Sequence, residues 1–103
     1  MPYSFSPVCV DTGCEDVQGL QVFRDDRLTA LFVRLDSDCH SDHRGCWFPE
    51  AGFGRCAAMS AGPFGSVFDA FRWTAEQYEG RRIGDGPLHK LGILAEQVAT
   101  CIH

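Results

Sequence analysis

The residues best suited to chemistry lie in one polar run, Asp36 to Cys46, D-S-D-C-H-S-D-H-R-G-C. Thiolate and imidazole are the donors zinc prefers, and Cys39, His40, His43 and Cys46 supply them within a single loop. With Cys56 following after a turn, Cys39, His43, Cys46 and Cys56 make a candidate closed zinc site. Only His43 and Cys46 have the two-residue spacing of a zinc knuckle. The same residues also suit a solvated loop whose cysteines serve as small apolar side chains, or a Cys39–Cys46 disulfide. Asp36, Asp38 and Asp42 add oxygen donors, but the run lacks the glycine at place six and the glutamate at place twelve that a calcium-binding EF-hand loop needs.

Other chemistry has weaker support. Six cysteines, at 9, 14, 39, 46, 56 and 101, stand beside His40, His43, His89 and His103, so many thiol–imidazole pairs are conceivable and none is singled out. The glycines of G-F-G (Gly52, Gly54) and G-P-F-G (Gly62, Gly65) lack the lysine of a phosphate-binding loop. Arg81-Arg82 is too small a basic patch for a nucleic-acid footprint. Catalysis is therefore not expected, and no cofactor other than zinc is implied. The start M-P-Y-S-F-S-P-V-C-V has neither the basic region nor the apolar core of a signal peptide, and no run of about 18 apolar residues marks a membrane span. A cytoplasmic protein with reduced thiols follows, three disulfides being the expectation for an exported one.

Three elements must position these residues. In Phe64 to Gly80, 100° steps gather Phe64, Val67, Phe68, Phe71, Ala75 and Tyr78 in a sector about 80° wide, the stripe of an amphipathic helix over about 65–79. Ser66 is suited to cap its start and Gly80 to stop it in a left-handed conformation, while Asp69 favours the positive helix end. Trp73 falls about 180° from that stripe, beside Asp69 and Glu76, where it is not expected to meet the same core. The C-terminal helix, a loop or a partner must then cover it.

Val17 to Asp36 predicts a β-hairpin turning at Asp25-Asp26, with Phe23 opposite Leu28 and Leu20 opposite Leu31. One face collects Leu20, Val22, Leu31, Val33 and Leu35, the other Phe23, Leu28, Ala30 and Phe32, so both faces are apolar. Val8 and Val10 suit a sheet edge. Trp47 and Phe48 suit a third strand stopped by Pro49, and Ala51–Met59 another short strand. A last helix is expected over about 88–102, its stripe formed by Leu88, Leu91, Ala95, Val98 and Ile102 and widened by Leu94 and Cys101. At 103 residues with an apolar fraction of 45 %, the chain is expected to be one α+β domain: an antiparallel sheet of three or more strands with two helices packed on it.

Charge gives the functional expectation. The net charge is −5, and residues 1–50 hold nine acids against four arginines while the remainder is balanced. Such a field repels phosphate backbones, excluding direct nucleic-acid binding, and attracts basic protein surfaces. Together with a second apolar hairpin face and an unplaced tryptophan, it predicts a non-enzymatic protein-binding module on a larger, basic partner. Trp73, Phe23, Leu28, Phe32, Asp25, Asp26, Asp69 and Glu76 are the expected contacts. A second copy of the chain is another cover for the same face. Small acidic proteins of this build occur among phage and mobile-element inhibitors of host nucleic-acid machinery, anti-CRISPR proteins included. The alternative is a small structural zinc protein.

Overall fold

The computed structural model describes residues 3–11, 13, 16–37, 42–57, 62–83 and 88–99, with 98 and 99 as backbone only. It contains a four-stranded antiparallel sheet and two helices, the expected α+β arrangement. The strands β1 (Tyr3–Cys9), β2 (Gln18–Arg24), β3 (Arg27–Arg34) and β4 (Trp47–Gly52) lie in sequence order, each beside the next. Helices α1 (Val67–Glu79) and α2 (His89–Ala99) follow. The expected edge at Val8 thus belongs to a full strand, and Val10 continues its pairing by donating to the Val17 carbonyl at 2.8 Å.

The ends of α1 form as the sequence predicts. The Ser66 hydroxyl accepts from the Asp69 backbone N–H at 3.2 Å, satisfying one of the free donors of the first turn. Gly80 closes the helix at φ 72°, a conformation that costs glycine little. The second helix begins at His89, with Leu88 buried just before it. Leu94 does not widen its buried stripe: it is 53 % exposed, and Ile93 39 %. What packs inward instead is Gly92, under the ring of Phe68; a β-carbon there would stand 2.3 Å from Phe68 Cδ1. Val98 as a side chain, Cys101 and Ile102 lie outside the described residues.

The β2–β3 hairpin departs from the expected register. Phe23 does face Leu28 across the two-residue turn, and Asp25 takes the left-handed conformation at φ 59°. Beyond that pair Thr29 is an extra residue, so Val22 faces Ala30 and Leu20 faces Phe32, not Leu31. Its hydroxyl donates to the Val22 carbonyl at 2.9 Å, and its own carbonyl accepts from Phe53 N–H at 2.9 Å, which satisfies the bulged backbone. The slip exchanges Leu31 and Val33 for Ala30 and Phe32 on the helix-facing side. The gain is an aromatic: Phe32 is fully buried, with ring centroids 5.9 Å from Phe64 and 6.3 Å from Trp73.

Trp73 is accordingly part of the core wall. Its ring lies 5.7 Å from that of Phe64, whose backbone is anchored beside β4. The buried side of α1 is Val67, Ala70, Phe71, Thr74 and Ala75, a band turned toward Trp73 from the expected stripe. Tyr78 instead lies between the guanidinium groups of Arg24 and Arg55, 5.3 and 5.7 Å from its ring centre.

Two further expectations are corrected. Pro49 does not stop the third strand, which runs on to Gly52. As an edge strand, β4 needs no N–H from Pro49 on its open side, and a second bulge leaves Glu50 without an opposite residue. Ala51 and Gly52 therefore close β4, and Gly54–Cys56 forms a short 3-10 turn in place of another strand. Beside Trp47 the edge is occupied: Trp47 and Phe64 exchange both backbone hydrogen bonds, at 2.7 and 2.8 Å.

Candidate interaction face

The registers sort every strand residue to one of two sides. Rows facing the helices run Phe5–Val22–Ala30–Gly52 and Pro7–Leu20–Phe32–Pro49. Leu20, Val22, Ala30 and Phe32 join Val67, Ala70, Phe71, Ala75, Leu88 and Ala95 in one core cluster. The outer rows are Ser4–Phe23–Leu28, Ser6–Gln21–Leu31–Ala51 and Val8–Gly19–Val33–Phe48. Both described helices contribute to the cluster on the inner side, and the outer rows keep Phe23, Leu28 and Leu31 only partly buried. Phe48 is 42 % exposed. At one corner the strand β1 closes the face itself, because Val8 and Val10 lean over Gly19, where a β-carbon would meet both at 3.0 and 3.1 Å.

At the hairpin tip the charges are largely matched. Arg24 pairs with Asp25 at 2.6 Å and with Glu79 at 3.2 Å, and exposed Arg27 adjoins exposed Asp26. The Tyr3 hydroxyl donates to the same Glu79 oxygen at 2.7 Å. That bond, followed by the one from Arg24, holds the Glu79 carboxyl below the usual glutamate range. Burial, with the neighbouring carboxylate, raises the Tyr3 phenol above its ordinary value. Arg24 is held charged chiefly by its hydrogen bond to Glu79. This end of the molecule is a lock between hairpin and helix.

The acidic excess collects at the opposite end. There a cleft of about 510 Å³ is lined by Asp11, Asp16, Glu50 and His43 and by the apolar Val33, Leu35, Phe48 and Pro63. Asp16 is 6 % exposed, and one oxygen accepts from the backbone N–H groups of Asp36 and Ser37 at 2.6 and 2.7 Å. That fixes the chain after β3 against the chain before β2. Asp11 and Glu50 are exposed.

Of the expected contacts, Phe23, Leu28, Asp25 and Asp26 come together at the hairpin tip. Phe32 is fully buried and offers a partner no surface. Trp73, Asp69 and Glu76 lie on α1, away from the outer rows. Asp69 binds Arg72 at 2.9 Å, and Glu76 accepts from the Ile83 N–H at 3.0 Å. Leu31, Phe48, Asp11 and Glu50 belong to the face and were not expected there. The alternation Trp47 in, Phe48 out, Pro49 in, Glu50 out is the signal that carries two of them.

Of the zinc set, Cys39 lies outside the described residues. His43 is exposed in a short turn whose carbonyl accepts from Cys46 N–H at 3.0 Å. Cys56 points into the core, its Sγ donating to the Thr74 carbonyl at 3.7 Å, and burial raises its thiol pKa. Among the described residues no three His, Cys, Asp or Glu side chains converge on one point. No described helix is long and apolar enough to cross a membrane. Comparison with protein family models, curated proteins and solved structures finds no match.

Proposed function

We propose that this chain is a non-enzymatic binding module that lays the outer face of its sheet on a basic, partly apolar surface of a larger protein, as inhibitors of nucleic-acid machinery do. The observation carrying this reading is the set of partly exposed Phe23, Leu28, Leu31 and Phe48, spread over the three outer rows on the side opposite both described helices, with a cleft edged by carboxylates beside Phe48. Covering side chains already partly buried returns about half of the roughly 1.5–3 kcal/mol each would give from full exposure. Four of them contribute about 4 kcal/mol, near the lower bound of the 4–15 kcal/mol that association costs. Burial of the partner's own apolar surface then has to supply most of the remainder, while charge complementarity at the acidic end sets partner choice and association rate.

The test is affinity capture from the source cell with wild type, a Leu28→Ser/Leu31→Ser variant and an Ile93→Ser/Leu94→Ser control. The sheet variant loses the captured protein while keeping its circular dichroism spectrum, the helix control keeps it, and raised salt releases it. Capture that survives the sheet variant, or is lost only with the helix control, overturns the reading.

A further inference from the structure

Among the described residues, the acidic-end cleft has neither the make-up of a metal site nor that of an ordinary apolar pocket. The described carboxylates do not converge in the number a cation needs. They stand around walls formed by Val33, Leu35, Phe48 and Pro63. A compact ion would leave those walls empty, and a purely apolar group would strip water from Asp11 and Glu50 without replacing it. The ligand chemistry that satisfies both is a long alkyl stem ending in a delocalised or ammonium cation.

We infer that the cleft receives one arginine or lysine side chain of the partner, its methylenes against Phe48 and Pro63 and its charged end toward Asp11 and Glu50. This rests on the reading of the outer face as the docking surface and names what anchors it. Three features fit the assignment. Phe48 is 42 % exposed at the cleft, leaving ring surface for the stem. The wall is set in advance, because Asp16 is buried and ties the segments on both sides of it through Asp36 and Ser37. The volume, about 510 Å³, lies in the roughly 300–1,000 Å³ range of ligand pockets, so a side chain enters with room for its own backbone at the mouth.

The experiment is a nuclear magnetic resonance titration of the full chain at low ionic strength with a blocked Gly-Ala-Arg-Ala-Gly peptide and with its citrulline counterpart, a neutral near-isostere. The arginine peptide shifts the amides of Val33, Leu35, Phe48 and Glu50, and citrulline binds at least tenfold more weakly. An Asp11→Asn/Glu50→Gln variant loses a similar factor for arginine and none for citrulline, while Phe48→Ala weakens both peptides. Equal binding of the two peptides, or shifts at the hairpin tip instead of the cleft, overturns the assignment. If cleft signals stay still while Leu28→Ser/Leu31→Ser abolishes capture, the docking face stands and the basic anchor is overturned. If the cleft titrates as stated but capture ignores the sheet variant, it is the docking face that fails.

Discussion

Gly92 shows how one residue type is decided by its neighbour. In an exposed helix interior Gly→Ala stabilises by about 1 kcal/mol, but here the added carbon meets the Phe68 ring, which already packs on His89 with centroids 5.6 Å apart. Forcing that ring aside costs about 1–3 kcal/mol, so the clash outweighs the propensity gain. Gly92→Ala is therefore expected to lower stability, read as a lower denaturant midpoint at unchanged slope; a raised midpoint would show that Phe68 swings away freely. The sequence marks Gly92 only as an irregularity in a helical pattern. Nothing local tells that an aromatic from another helix occupies the missing volume. The same limit applies to Cys56: read beside His43 and Cys46 it resembles a ligand, and only the packing of the 3-10 turn against α1 turns it inward.

At the scale of elements, what was legible is what is locally determined. Both ends of α1 follow from Ser66 and Gly80, whose capping roles depend on residues within a few positions. Replacing Ser66 by alanine is expected to cost about 1 kcal/mol. In a domain this size that lowers the melting temperature by about 4–8 °C, a shift calorimetry resolves. A melting curve indistinguishable from wild type would mean that the cap bond contributes nothing. The hairpin was legible as far as its turn and its first pair, and no further. Its register past Thr29 is chosen by the cluster of Phe32, Phe64 and Trp73, which joins three separate stretches of chain. An error of one residue there reverses both faces, and so Phe32 was expected outside and Leu31 inside. The hairpin-tip part of the candidate face survives the slip because Phe23 and Leu28 precede the bulge. The cleft was not legible at all, since it exists only where Asp11 and Asp16, Val33 and Leu35, Phe48 and Glu50, and Pro63 meet.

For the molecule as a whole, the lock of Tyr3, Arg24 and Glu79 fastens the sheet to the far end of α1, and it makes stability depend on acid. Because the folded glutamate titrates below its unfolded value, its contribution is complete above the ordinary glutamate pKa of about 4.3 and is lost as the pH falls through the lowered folded value. Glu79→Gln is expected to be less stable than wild type at neutral pH, with the two melting temperatures drawing together on acidification; a constant gap at every pH would show that the carboxylate's charge is not what matters. A protein with a partly exposed apolar sheet face also has to avoid pairing its edge strands side by side with those of other copies into fibres. The outermost strands each carry a proline, Pro7 and Pro49, and Phe64 already occupies the backbone beside Trp47. A further strand finds an interrupted template on either flank. Contacts through the partly exposed outer side of the described sheet are therefore expected to stay finite instead of seeding a ribbon.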